Sequence, residues 1–237
     1  METLNNILSN IPTKEPQKLF QTIAEELMCN YVIQKGTQQY RIVEIEFYFY
    51  SRDHQDVITY PRYIEAGRWF FHSSGVDLTF KSNGIEYLKD GKYKISDNAY
   101  FGGILIRGLY KLYDKDRKYI FGPQKCVDEL WNNLNAFDEA GIKEYPVLKE
   151  CENGKIFHSN LRKCERHINI KNDKRRHNKI REWAKRIALD WDEHQISAYD
   201  EGLLNGCYRY FNLPDYEDST LAKIPSYARP IKSNLIQ

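Results

Sequence analysis

The sequence predicts an α+β fold, a single domain built on a mostly antiparallel sheet with packed helices. Three observations predict it. Eighteen Tyr and eleven Phe among 237 residues favour strands. Apolar runs of strand length recur between Gly-containing turn signals rather than alternating with helices. Two segments, near 16–29 and 174–192, carry apolar residues at helical spacing. No repeat and no Gly/Ser linker divides the chain. At 41% hydrophobic and 29% charged it is neither a disordered chain nor a coiled coil.

The elements follow in order. Pro16 stands where a first helical turn tolerates proline, and Leu19, Phe20, Ile23, Leu27 and Met28 then recur at helical spacing. Tyr31–Gln34 and Tyr40–Tyr50 read as strands around a Lys35-Gly36-Thr37 turn. Trp69–His72 and Val76–Phe80 flank Ser73-Ser74-Gly75, and Ile85–Leu88 and Lys92–Ile95 flank Lys89-Asp90-Gly91; both pairs read as hairpins. Gly103–Tyr110 is an apolar strand, and Gly122-Pro123 precedes a helix outlined by Val127, Leu130, Trp131 and Leu134. Residues 138–160 have no clear period, and Ile168 and Ile170 suggest a short strand. Over 174–192, Ile180, Trp183, Ala184, Ile187, Ala188 and Trp191 form one apolar stripe. Tyr208–Leu213 is a last strand, and the tail from Pro214 reads as irregular.

Charge and cysteine content narrow the function classes. The net charge of +2 hides a cluster: Arg162–Arg186 holds eleven Lys and Arg against Glu165, Asp173 and Glu182, net +8. Such a cluster attracts polyanions, nucleic acid first, although a solvated helix face gives the same pattern. Five scattered cysteines without a CxxC read as free thiols in a reducing compartment, which points to the cytoplasm. No apolar run reaches the roughly 20 residues of a membrane helix, and no secretory leader is visible. No His pair has metal-ligand spacing, so no metal is expected; His158, His167, His177 and His194 read as surface residues. P-loop, GxGxxG and GxSxG motifs are absent.

The run Arg41-Ile42-Val43-Glu44-Ile45-Glu46-Phe47-Tyr48-Phe49-Tyr50 carries the most chemistry. Strict alternation puts Val43, Ile45, Phe47 and Phe49 on one face, and Ile42, Glu44, Glu46, Tyr48 and Tyr50 on the other. That second face is either an ordinary wet face or a carboxylate base beside aromatic stacking surfaces. Arg107 interrupts the apolar run Gly102–Leu109, and a buried guanidinium needs an anion. Glu44 or Glu46 is the natural partner, in a structural ion pair or in a site.

In order, these segments resemble the methylpurine-DNA glycosylase (alkyladenine, or 3-methyladenine, DNA glycosylase) family. The family's R-I-V-E-T-E-A-Y strand stands here as Arg41-Ile42-Val43-Glu44-Ile45-Glu46-Phe47-Tyr48, and its V-L-L-R-A-L-E-P-L strand as Ile104–Leu112. Its aromatic hairpin stands as Trp69–Gly75, and its Gly-Pro helix, closed by Phe-Asp, as Gly122-Pro123 to Phe137-Asp138. Its R-x-G-I and R-F-Y strands correspond to Arg166–Ile170 and Tyr208–Phe211. The order spans about residues 17–215.

The resemblance implies a curved sheet and a monofunctional enzyme that hydrolyses the N-glycosidic bond of alkylated or deaminated purines in DNA after base flipping, with no metal, cofactor or covalent intermediate. It implies Glu46 as the base that activates water, Arg107 as the pocket arginine, and Tyr48 and Phe71 on the two faces of the flipped base. His54 or Tyr60 stands in for the family's base-contacting His, whose segment is shorter here. Ser74 occupies the wedge position, where the family has an aromatic; Phe70 or His72 are the nearby rings that could fill the gap. Residues 172–192 read as a basic insertion whose Arg175, Arg176, Lys179 and Arg186 touch phosphates, with His72 at the DNA surface. A monomer acting on DNA is expected. The alternatives are a divergent N-glycosylase on single-stranded DNA, RNA or a modified base, and a non-catalytic nucleic-acid-binding relative.

Overall fold

A computed structural model describes residues 4–89, 93–114, 118–132, 144–151, 157, 160–166, 168 and 170–213 of the chain. The expected Phe137-Asp138 helix end, His158, His167 and the tail from Pro214 lie outside the described residues.

Two short helices lead in, α1 (Leu4–Ser9) and α2 (Gln17–Asn30). The strands are β1 (Tyr31–Lys35), β2 (Gln38–Ser51), β3 (His54–Gln55), β4 (Trp69–His72), β5 (Gly75–Thr79), β6 (Asn83–Tyr87), β7 (Tyr93–Lys111), β8 (Tyr119–Phe121), β9 (Val147–Glu150), β10 (Leu161–Cys164) and β11 (Arg209–Asn212). Helix α3 (Pro123–Trp131) follows β8; α4 (Asp173–Arg186), α5 (Glu193–Tyr199) and a π-helical turn (Asp200–Leu204) precede β11. The open, curved sheet runs β10-β11-β2-β7-β5-β4, with β1 and β3 also on β2, β6 and β8 on β7, and β9 on β1. Every pairing among the described residues is antiparallel. The structure is therefore α+β, as the aromatic content and the turn spacing predict.

Three details differ from the sequence reading. The second arm of the 85–95 hairpin and the Gly103–Tyr110 strand are one strand: β7 runs 19 residues, pairing first with β6 and then with β2. Strands β9 and β10 lie where no period or only charge is visible, because each edge strand pairs with just one neighbour. Ile168 and Ile170 are not in a strand.

Helix α2 packs on one face of the sheet through Phe20, Ile23, Ala24, Leu27 and Met28, all buried. Phe20 stacks on Phe47 with ring centroids 4.4 Å apart. Each large apolar side chain buried in this way contributes about 1.5–3 kcal/mol. The opposite face is covered at one end by α4 and α5, whose Ile180, Ala184, Ile196 and Tyr199, with Ile187 just past α4, pack with Tyr50, Val57 and Phe101. Between that cluster and a small one at Val43, Phe211 and Leu213 lies the stretch of β2 that carries the charged residues.

Strict alternation fails in β2. Ile42 pairs with Leu109, Glu44 with Gly108 and Ile45 with Ile106, so Val43 and then Arg107 are extra residues in a double bulge. Tyr40 and Ile42 consequently share the helix-side core with Ile45, Phe47 and Phe49, while Val43 leaves it. The expected pairing of Ile42 with the glutamates is thereby corrected. No helix among the described residues is long and apolar enough to cross a membrane.

Candidate functional site

Glu44, Glu46 and Arg107 come together as the sequence predicts, but not on a wet face. Both glutamates are fully buried, and Arg107 is 8% exposed. Arg107 Nε donates to Glu44 Oε1 at 2.9 Å, and its Nη1 lies 3.1 Å from Glu46 Oε2, an ion pair without hydrogen-bond geometry. Gly108 makes room: a Cβ there would lie 2.8 Å from Glu44 Cβ. Burial raises the Glu44 carboxyl above its ordinary range despite Arg107 beside it. Both carboxylates meet Arg107, and Arg209, buried on β11 opposite Glu46, adds a second cation that acts on Glu44.

Tyr48 links this group to its surroundings. Its hydroxyl donates to Glu46 Oε1 at 2.5 Å. Its ring lies 4.8 Å from the Arg166 guanidinium, which also covers Tyr208 at 4.5 Å. Arg166 donates to both Asp56 oxygens, at 2.8 and 2.6 Å, and to the Phe47 carbonyl at 2.7 Å. Tyr199 donates its hydroxyl to Asp56 Oδ1 at 2.8 Å. Burial pushes the Asp56 carboxyl upward, but Arg166 outweighs it and holds it below the usual range.

Tyr48 also lines a cavity of about 110 Å3 with Ile58, Tyr60, Arg62, His72, Ser74, Asp77, Leu105 and Trp183. Glu46 does not line it. Asp77 is central: Arg62 Nη1 lies 2.6 Å from Oδ2, and His72 Nε2 lies 3.0 Å from Oδ1. Arg62 reaches it over Gly103, where a Cβ would sit 3.2 Å from Nη1 and 2.9 Å from the Leu78 carbonyl. Against the upward push of burial, Arg62 and His72 hold the Asp77 carboxyl low. A larger, open groove of about 590 Å3 lies elsewhere, between β8 and α3, lined by Lys118, Phe121 and Lys125, and holds none of the predicted residues.

The remaining expected residues divide. Tyr60 and His72 line the cavity, their rings 5.0 Å apart. Phe71 does not. It points off the other side of β4, half exposed, with its ring edge-on to Trp131 at 4.8 Å. Phe70 and His72 point toward the cavity side, Phe70 stacking on Arg62 at 4.0 Å. His54 is buried between Phe49 and Tyr208, away from the cavity, and burial lowers its pKa.

On α4, Arg175 and Lys179 are exposed, Lys179 pairing with Glu182. Arg176 is bound to Asp200 and Asp173. Arg186 is turned inward, donating to the carbonyls of Val57, Ile58 and Thr59 and lying 4.9 Å from the Tyr60 ring. The expected phosphate roles of Arg176 and Arg186 are thus replaced by structural ones. With Trp183, the helix builds one wall of the cavity.

Sequence reading misses Asp56, Arg62, Asp77, Arg166 as an ion partner, and Trp183. A signal exists for one of them: Asp77 interrupts the apolar strand Val76–Phe80 just as Arg107 interrupts its own. Among the described residues no group of three or more His, Cys, Asp and Glu is arranged to hold a metal ion. Compared with protein-family models, curated proteins and solved structures, the chain matches none.

Proposed function

We propose that the protein is an N-glycosyl hydrolase acting on damaged purines in DNA, with Glu46 as the base. One observation carries the reading: Tyr48 both donates its hydroxyl to Glu46 and presents its ring to an aromatic-walled cavity. A stacked base would thus rest against the side chain that holds the carboxylate. The carboxylate is anchored by Arg107 and is fully buried, so charge that develops beside it would be little screened by solvent. In the step, water oxygen bonds to C1′ of the sugar and its proton passes to Glu46. The C1′–N bond breaks, and its electron pair leaves with the base.

A second reading, a nucleic-acid-binding protein without hydrolytic activity, draws on the complete burial of Glu46 and its absence from the cavity wall. Base release from alkylated and hypoxanthine-containing DNA, duplex and single-stranded, separates the two. Under the first reading the wild type makes abasic sites and Glu46→Gln loses about 100- to 10,000-fold of that rate. DNA binding without release by either protein establishes the second reading instead.

A further inference from the structure

The open groove between β8 and α3 takes no part in the hydrolytic step. Its volume of about 590 Å3 falls in the range of small-molecule sites, roughly 300–1,000 Å3. Its walls combine the rings of Tyr119 and Phe121, the exposed Lys118 and Lys125, and the polar ends of Asp128 and Asn132. Glu129, the other acid there, accepts the Tyr40 hydroxyl at 2.9 Å and lies 3.6 Å from Lys118. Two lysines thus face two carboxylates, so the groove is not a bare cation patch. Rings, ammonium groups and acceptors together suit a nucleotide, which brings a face to stack, a phosphate, and N–H and O–H groups.

The sheet joins this groove to the cavity. A Cβ on Gly108 would lie 2.8 Å from Glu44 Cβ and 3.1 Å from the Phe121 ring, so Phe121 stands on the face that carries the glutamates. Tyr119 stacks on Phe121 at 5.8 Å, and Tyr110 lies 4.7 Å from Tyr119, which makes a ladder of rings on that face. Gly108 pairs with Phe121, while Gly103, farther back along β7, pairs with Tyr48. At about 3.3 Å per residue the two rows are roughly 16 Å apart. A stacked strand rises about 3.4 Å per nucleotide, so roughly five nucleotides cover that distance.

Resting on the reading of the substrate as nucleic acid, we infer that the groove binds a nucleotide of the substrate strand, about five positions from the base held at Tyr48, and that this part of the strand is single-stranded. In a duplex each base has its faces covered by its neighbours and its edge by the partner strand. Neither is then open to Tyr119 or Asp128. In a single strand the base stacks against the Tyr119–Phe121 ladder, and its phosphate meets Lys118 and Lys125. Such stacking tolerates any sequence, because every base has a π-face.

Binding tests this without reference to base release. Fluorescence anisotropy of labelled oligo(dT) of four, eight and twelve nucleotides is measured over a range of salt, with a hairpin duplex as the comparison. Wild-type affinity rises by about 10-fold or more between the four- and eight-nucleotide strands, because only the longer one spans cavity and groove. Tyr119→Leu keeps apolar bulk in the ladder and removes the aromatic face. It abolishes that rise, weakens the twelve-nucleotide complex by about 10-fold or more, and leaves duplex binding unchanged. Tyr119→Trp, which keeps a ring, binds like the wild type. Lys118→Ala combined with Lys125→Ala makes the single-strand salt slope shallower by about 1.4, at about 0.7 per phosphate. Both lysines are exposed, so this variant tests the groove even if the leucine variant does not fold. A wild type that binds no single strand overturns the inference, as do losses by Tyr119→Leu that are equal on single strand and duplex, or absent on both. Such a result alongside base release by the wild type leaves the hydrolase reading standing. Groove binding as described, with no release of any base, overturns the hydrolase reading alone.

Discussion

Two buried ion groups flank Tyr48, and they are built on opposite principles. On one side Glu44 and Glu46 both meet the guanidinium of Arg107, with the buried Arg209 also acting on Glu44. On the other, Arg166 meets the single carboxylate of Asp56, which also accepts from Tyr199 and Thr59. The second group is balanced in charge and closed in hydrogen bonding around the carboxylate. The first is open in hydrogen bonding: Glu44 Oε2 has no hydrogen-bond donor among the described residues. Their titration follows. Asp56 is held low by Arg166, whereas Glu44 is driven up by burial that Arg107 and Arg209 together do not offset. Balance is what a scaffold needs. A buried carboxylate with an open acceptor atom is what proton chemistry needs, because burial without a matching donor favours the protonated form.

The contrast breaks most sharply at Arg166. Replacing it with Met leaves Asp56 buried without its counter-ion and strips the cation from between Tyr48 and Tyr208. Breaking one partner of a buried pair costs about 3–5 kcal/mol. For a chain of this size that lowers Tm by roughly 10 °C. Urea unfolding and thermal melts read the loss directly. A change within about 1 kcal/mol would mean that Asp56 does not rely on Arg166, and that the two groups do not differ in kind.

Glu44→Gln is the counterpart on the open side, with a smaller effect of opposite sign. The amide oxygen still accepts from Arg107 Nε, while the buried carboxylate charge is gone. The Glu44 carboxyl has a folded pKa above its ordinary 4.5, so the native state binds more protons than the unfolded chain between those two values. Stability that this group confers at low pH is therefore lost as pH rises through its folded pKa. The variant lacks that decline and is as stable as the wild type or more so at neutral pH, by about 1 kcal/mol. Parallel stability curves for the two proteins, from the ordinary carboxylate range up to neutral pH, would show that Glu44 carries no such strain.

The same contrast governs how much of the molecule is legible in its sequence. The Glu46–Arg107 pair is readable because a guanidinium inside an apolar run demands an anion, and the anions sit on the neighbouring long strand. The fold class is readable from aromatic content and turn spacing. The double bulge is marked only by Gly108, and a strand glycine also fits a plain close approach, so alternation assigns Ile42 to the wrong face. Phe71 fails for a related reason. One residue of register in a four-residue strand decides which ring faces the cavity, and the structure chooses Phe70 and His72. Asp56–Arg166 joins residues 110 apart in sequence, and Arg62–Asp77 joins a loop to a short strand. Such pairings come from tertiary packing and leave no local pattern.

The basic helix shows where charge in sequence and charge at a surface part company. Of the four cations assigned there to phosphate, Arg176 is spent on Asp200 and Asp173, and Arg186 on backbone carbonyls, so both belong with Arg166 as scaffold. Arg175 and Lys179 are exposed. Changing these two to Ala alters stability by no more than about 0.5 kcal/mol, as is usual for surface substitutions. If the helix lies along DNA, the double variant binds more weakly at all sequences. The slope of log affinity against log salt then becomes shallower by about 0.9 for each phosphate that is no longer neutralised. An unchanged slope removes α4 from the nucleic-acid surface and leaves it one task that its geometry already displays, holding Trp183 and the Tyr60 loop as a wall of the cavity.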